Sequence, residues 1–408
     1  MLLKAARKPS HQPPAVMKFG GTSVEDASAF ERAAEIVRAR REELPVVVVS
    51  ALGGVTNALL AAARSAAAHA DAPLDSLEGH FERHVQIARR LLTDEAAAAV
   101  EAEMGRGRAE LASLLEEMAA GPRERPPLQD AVVSYGERLS ATLLTAVLRQ
   151  YGLPATCVDA RQCIVTDEAH GCAAPLPAET ARRTRARLAP LLASGEVPVM
   201  AGFIAASEGG AVTTLGRGGS DYTATLVGAA LGAREVQIWT DVAGVLTADP
   251  RIVKGARTIP WLSYAEAATL AFFGAKVLHP KTIEPLVAGR IPLRVCNSRA
   301  PEEPGTLVCA GADPSPHTVK AITQQLGANG GGHGEAPRHG PIVERGRALI
   351  CMVGEGLREA PAVAARVAHA LTNMNALFVK HEVSDVLLLD VDEERACEAI
   401  TRLHAAFF

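Results

Sequence analysis

The sequence predicts an α/β protein: a large domain on a mainly parallel sheet with helices on both faces, followed by a small α+β unit. Short β-branched or apolar runs alternate with amphipathic or Ala-rich stretches, and these runs lack polar alternation, as strands buried on both faces do. A composition break near residue 324 then sets off a tail with a strand and helix pattern of its own.

Residues 1–14 (MLLKAARKPSHQPP) carry three cations and only a three-residue apolar block, so they read as a disordered extension and not as a secretory leader. Residues 15–55 read as strand, glycine turn, helix and strand. AVMKF opens the unit, and Phe30, Ala33, Ala34 and Val37 share one helical face. Ser23 and Asp26 are expected to form the reciprocal cap that starts this helix. The run 45–51 (PVVVVSA) supplies the second strand, and a β-α-β unit of this kind requires a right-handed crossover and a parallel sheet.

Residues 58–125 are rich in Ala, Arg, Glu and Leu and poor in β-branched residues, which predicts an inserted helical region. Strand patterns return at 196–203 (EVPVMAGF), 235–240 (EVQIWT) and 291–296 (IPLRVC), beside helical stretches at 222–231 and 264–272. The large domain is therefore expected to span 15–310. Within a tail unit of 311–408, the segment GANGGGHGEAPRHGP has six glycines and two prolines without apolar periodicity, so 324–346 reads as a linker. After it, ALICMV, 360–371, 376–380, 386–391 and 393–406 read as β-α-β-β-α, about the minimum size for an independent core.

Composition bounds the function. The 408 residues, 48% hydrophobic and 22% charged, fit a globular chain of about two or three domains. With 42 Lys+Arg against 46 Asp+Glu, the net charge of -4 provides no global field for a nucleic acid or an anionic membrane. The apolar runs fall far short of the ~18–20 residues of a spanning helix. Seven scattered cysteines without a C-x-x-C pair read as reduced thiols and favour the cytoplasm. No metal-ligating residues are assigned, because His333 and His339 in the linker are too few for a metal site.

Two glycine loops lie between strand and helix. Lys18-Phe-Gly-Gly-Thr-Ser offers bare amides, a helix N-terminus and a full positive charge, suited to an anion, although paired glycines also make plain turns. No G-x-x-x-x-G-K-[ST] loop occurs in the chain. Leu215-Gly-Arg-Gly-Gly-Ser-Asp-Tyr fails the dinucleotide pattern, since Asp221 stands where the third glycine is required. Arg217 there presents a planar fork for a carboxylate or phosphate, or pairs with a structural carboxylate. Both loops would open at the carboxyl edge of the sheet, where ligands bind.

Three further segments carry chemistry. Glu137, in Ser134-Tyr-Gly-Glu, receives a ligand amine or caps a helix, and the cap is the reading that the sequence alone favours. Asp241 and Asp249 lie in a polar loop leaving a strand, as hydroxyl contacts or turn residues. Lys276 sits in an apolar context, where a lysine either serves a ligand or snorkels.

MKFGGTSV, VVSALGGVTN, SYGERLS, TTLGRGGSDYTA, WTDVAGVLTADPR, FFGAKVLHP and PGTLV…VKAIT follow one another across about residues 16–323. In order and spacing they resemble the aspartokinase branch of the amino-acid kinase family. The resemblance implies a three-layer αβα sandwich, ATP with Mg²⁺, and phosphorylation of the β-carboxylate of L-aspartate. It implies that Lys18 stabilises the migrating phosphoryl group, with Gly20, Gly21 and Ser23 lining it and Gly219 also on the nucleotide side. Asp221 would organise the lysines or the metal, and Lys276 would reach the nucleotide phosphates. Arg217 and Glu137 would clamp the α-carboxylate and α-amine, with Ser50, Thr56 and Ser220 also on the amino acid. Thr240, Asp241 and Arg251 match the nucleotide-side loop. A carboxylate with an unperturbed pKa of ~3.9 is already an anionic nucleophile, so the transfer needs positioning and charge neutralisation more than a base. The same fold also serves other acceptors, among them glutamate, acetylglutamate, carbamate and nucleoside monophosphates, or a silent ligand-binding regulator.

The chain departs from the family pattern in four places. Leu246 replaces a tyrosine of the nucleotide loop, which alters one contact. Residues 297–301 read NSRAP in place of a family-like NTFNP. One ACT-like unit stands where aspartokinases carry two nested ACT domains. Its missing strand is expected to come from the VKAIT segment, with 318–323 pairing to the tail sheet. The stretch from Phe378, FVKHEVSD, replaces a Ser- and Glu-containing effector stretch, which predicts no inhibition by lysine or threonine. The resemblance also implies a homodimer.

Overall fold

The run AVMKF, apolar but for Lys18, forms the first strand because both faces of the sheet are covered. In the computed structural model, which describes residues 12–69, 73–121, 125–274, 278–311, 318–326, 343–357, 360–379 and 385–408, every residue of β1 (Ala15–Phe19) is buried. A helix α1 (Ala27–Ala39) leads to β2 (Val46–Val49), also buried throughout, and the two strands are parallel with Lys18 opposite Val48. Helix α1 is capped by Asp26 alone, whose carboxylate accepts from the Ala29 N–H at 2.8 Å. Ser23 takes no part in that cap, because its hydroxyl is bonded to the Trp239 carbonyl and the Ser298 hydroxyl.

The expected helical insertion is three consecutive helices, α2 (Val55–Ala67), α3 (Glu78–Leu91) and α4 (Asp94–Ala119). They are followed by α5 (Pro126–Val133) and α6 (Tyr135–Gln150). The chain continues through β3 (Ala155–Val158), β4 (Val165–Thr166) and α7 (Pro177–Ala193) into β5 (Val197–Ala201). A hairpin, β6 (Ile204–Ser207) and β7 (Val212–Thr214), feeds α8 (Gly219–Leu231) and β8 (Glu235–Thr240). The order β3-β5-β2-β1-β8 is parallel throughout and continues through β10 (Leu293–Asn297). Helices α7 and α8 pack together against this sheet, as do α1 and α6. These elements make one compact unit, residues 1–241 with 291–301.

The second unit comprises 242–290 and 302–408. It does not begin at 311, because the loop after β8 packs into the tail: Ala248 and Val253 share a core with Ile322, Ile350, Val391 and Leu403. Strand β9 (Trp261–Ser263) pairs in parallel with β11 (Thr306–Cys309), flanked by α9 (Tyr264–Phe272) and α10 (Pro280–Val287). Strand β12 (Ala321–Leu326) joins β13 (Arg347–Val353) antiparallel, with Ala321 opposite Val353. The pairing is the one expected of the VKAIT segment. Helix α11 (Pro361–Ala370), β14 (Leu377–Val379), β15 (Val386–Asp392) and α12 (Ala396–Phe407) complete a sheet of order β12-β13-β15-β14. Most of the Gly/His linker, with His333 and His339, lies outside the described residues.

Within this unit Glu266 is fully buried. Its carboxylate accepts from the Ser263 N–H at 2.8 Å and the Glu355 N–H at 3.1 Å, and Lys320 stands 3.3 Å away over the Trp261 ring. Removing one partner of a buried pair leaves the other charge uncompensated. Glu266→Ala is expected to destabilise this unit by about 3 kcal/mol, read as an earlier unfolding transition of the full chain in urea.

Candidate functional site

A lysine in the middle of a strand buried on both faces keeps its charge only with a partner at hand. Lys18 Nζ lies 2.6 Å from Asp221 Oδ1, and the two side chains are 10% and 15% exposed. Asp221 sits in the first turn of α8, where the helix dipole favours an anion. Backbone crowds this pair. The Gly20 N–H donates to the Trp239 carbonyl at 3.0 Å, and a Cβ on Gly21 would meet the Ala51 carbonyl at 3.0 Å. A Cβ on Gly219 would lie 2.7 Å from the Phe203 ring. Glycine is required at both points for this approach.

A cavity of about 280 Å³ opens here, lined by Lys18, Ser50, Thr56, Glu137, Phe203, Gly216, Gly218, Gly219, Ser220 and Asp221. Seven of the residues expected from sequence therefore meet in one place. The first residues of α8 line the cavity, and the dipole of the helix favours an anionic ligand there. Phe203 was not expected. Its φ of 67° is a left-handed conformation costing about 1–3 kcal/mol. The strain is held by the Thr223 hydroxyl, which accepts from the Phe203 N–H, and by the Leu215 N–H, which donates to its carbonyl. Its only sequence signal is its place at the end of the EVPVMAGF strand.

Glu137 accepts from its own N–H in the first turn of α6, as a cap does, and also from the Ala51 N–H and the Thr56 hydroxyl. It lies buried in the first turn of α6 with Oε2 free of any hydrogen-bond partner, facing the cavity. Burial pushes its pKa up to about 8, against the opposing pull of the Ala51 N–H, its own N–H, the Lys18 charge and the Thr56 hydroxyl. The carboxyl is thus mostly protonated at neutral pH.

The remaining expected residues stand apart from the cavity lining. Gly20 borders it, since a Cβ there would lie 3.4 Å from Lys18 Nζ. Arg217 is exposed on the loop between the lining residues Gly216 and Gly218. Ser23 is buried beneath the first glycine loop, its hydroxyl bonded 3.2 Å from the Trp239 carbonyl and 2.9 Å from Ser298 Oγ. Thr240 ends β8 and bonds the exposed Asp241 carboxylate at 3.2 Å. In the second unit, Arg251 is exposed and forks onto Asp249. Lys276 lies outside the described residues.

Residues 13–297 match the model of the amino acid kinase family. The chain belongs to the amino acid kinase family. Among curated relatives it is 40% identical over 299 residues to the lysine-sensitive aspartokinase 3 of Escherichia coli, covering 72% of this chain and 64% of that protein. To the chloroplastic aspartokinase 1 of Arabidopsis thaliana it is 38% identical over 316 residues, covering 75% and 54%. The chain thus spans between about half and two thirds of the length of these relatives. The solved structure of E. coli aspartokinase III in complex with aspartate and ADP superposes with a TM-score of 0.82 at 31% identity, covering 97% of this chain and all of that one. Within the family, the chain stands with the aspartokinases. Its three-layer α/β domain and ACT-like tail are those of that group.

The raised pKa of Glu137 fixes a sign. Between pH 4.5 and 8 the folded chain holds a proton that the unfolded chain has released, so this group costs stability increasingly as pH rises through that window. Glu137→Gln does not titrate. The ligand-free variant is expected to gain about 3 kcal/mol over wild type at pH 7 but under about 1 kcal/mol at pH 5, measured by urea denaturation at the two pH values.

Proposed function

We propose that the chain transfers the γ-phosphoryl group of ATP to the β-carboxylate of L-aspartate. One observation carries the reading: a buried carboxyl at Glu137, its Oε2 without a hydrogen-bond partner, shares a cavity with a cation at Lys18 and a helix N-terminus at Gly219 and Ser220. The cavity so offers one place for an ammonium and another for anions. A carboxylate oxygen of the acceptor forms the bond to the γ-phosphorus while the bridging oxygen leaves with ADP. Lys18 holds charge at the transferred group, Glu137 takes the α-amine, and Ser220 with Arg217 takes the α-carboxylate. Ser50 and Thr56 orient the amino acid. Gly20, Gly21, Ser23 and Gly219 shape the phosphate side, with Thr240, Asp241, Arg251 and Lys276 on the nucleotide.

The residues fit a nucleotide-borne Mg²⁺. Gly20 puts no side chain beside Lys18 Nζ, where a Cβ would lie 3.4 Å away, and Asp221 supplies one carboxylate there, whereas no three-ligand cage occurs among the described residues. When bound, the ion would neutralise phosphate oxygens. We further propose that the chain works in the cytoplasm, consistent with seven unbridged cysteines and with no described helix long and apolar enough to cross a membrane. Pairing as a homodimer is supported by the exposed apolar edge strand β14, whose Leu377 and Phe378 are 58% and 53% exposed. Control by lysine or threonine is absent in this reading. The replaced stretch that motivates it runs through residues 380–384, which lie outside the described residues.

Hydroxylamine trapping of the acyl phosphate tests the reading with ATP, Mg²⁺ and a panel of aspartate, glutamate and acetylglutamate. Product with aspartate alone is expected; product with another acceptor or with none overturns it. Lys18→Ala should lower kcat by about 10³-fold or more, as loss of a phosphate-neutralising charge does, and lysine or threonine at millimolar concentration should leave wild-type turnover unchanged. An ammonium arriving beside Glu137 favours its ionised form. Aspartate binding at pH 7 is therefore expected to release close to one proton, measured by calorimetry in buffers of different ionisation enthalpy, and Glu137→Gln should bind without that release.

A further inference from the structure

Outside the cavity, one carboxylate gathers more donors than any neighbour needs for packing alone. Asp130, on α5, is 2% exposed. Its Oδ1 accepts from the Thr214 hydroxyl at 2.7 Å, and its Oδ2 accepts from the Gly171 N–H at 2.9 Å and the Thr214 N–H at 3.1 Å, with His170 Nδ1 at 3.0 Å. A buried carboxylate with four donors is fully satisfied. Removing its charge leaves those donors facing a group that cannot accept from all of them.

What those donors belong to is informative. Thr214 ends β7, and the next residues are the glycine loop that carries Gly216, Arg217, Gly218 and Ser220. Gly171 and its neighbour Cys172 pack on that loop: a Cβ on Gly216 would meet the Gly171 carbonyl and Cys172 Cβ at 3.2 Å. The Ala173 N–H donates to the Thr214 carbonyl at 2.8 Å, tying the two segments side by side. On its own side, Asp130 precedes Glu137 by seven residues through α5 and the first turn of α6. One carboxylate thus joins the helix leading to Glu137 with the strand leading to Ser220.

We propose that Asp130 is a positioning residue that sets the separation between the amine-binding Glu137 and the carboxylate-binding loop of Arg217 and Ser220. The inference rests on the reading that the cavity holds an amino acid between those groups. Asp130 touches neither cavity nor acceptor. Its loss acts through loop geometry, so the effect falls on acceptor binding and spares the nucleotide.

The test compares apparent KM for aspartate and for ATP, by hydroxamate formation, in the full chain and in Asp130→Asn and Thr214→Val, with folding checked by circular dichroism. Asp130→Asn should raise the aspartate KM about 10- to 100-fold and the isosteric Thr214→Val about 3-fold, with the ATP KM within about 2-fold of wild type. An unchanged aspartate KM in a folded variant overturns the inference, as does an equal rise for both substrates. Where Asp130→Asn fails to fold, Thr214→Val decides alone by the same criterion. Wild-type chain that forms no hydroxamate with aspartate overturns the underlying reading, and that failure appears before any variant is made.

Discussion

Lys18 and Asp221 constrain everything around them. Each belongs to an element that must bury its surroundings, β1 between β2 and β8, and the first turn of α8. Taking two charges largely out of water costs several kcal/mol per ion before their attraction repays any of it. Apolar residues of similar size often fill such a space at no cost in stability, so packing alone does not call for the pair. Around the pair, held at 2.6 Å, the packing is tight: a Cβ on Gly21 would meet the Ala51 carbonyl at 3.0 Å and one on Gly219 the Phe203 ring at 2.7 Å. Side chains would prevent these two approaches, hence glycine at 21 and 219.

Much of this was legible in the sequence, because the same constraint writes itself into residue type. Uninterrupted valines at 46–49 mark a strand with no solvent face, and a lysine within the apolar run at 15–19 marks a charge that needs a partner. The addition of β12 was legible through the family resemblance: the tail alone offers three strands, and the nested ACT arrangement takes its missing strand from the VKAIT segment.

Other features escaped because local rules fit them equally well. A glutamate in a first helical turn satisfies the dipole whether or not it also faces a cavity, and only the fold shows that Glu137 is buried with its Oε2 left without a partner. Ser23 obeys the capping pattern, yet its hydroxyl is taken by the Trp239 carbonyl 216 residues away, a contact no local pattern contains. Phe203 and Asp130 are long-range in the same sense. A left-handed phenylalanine and a four-donor aspartate acquire meaning only from residues that the fold brings to them.

On the proposed reading, the charges in the cavity suit a zwitterion and a polyphosphate together. Asp221 balances Lys18, and Glu137 stays mostly neutral at pH 7, so the ligand-free cavity holds little net charge. In the proposed reading a bound ammonium would favour the ionised form of Glu137, whose proton would pass to solvent, so the counter-ion would form on binding without the standing cost of a buried free carboxylate. Phosphate oxygens, by contrast, would meet a cation already in place and the N-terminal dipole of α8. Charge is thus supplied to the anion in advance and to the cation on demand. That asymmetry follows from burial, since a glutamate in contact with water would remain ionised and attract any passing cation.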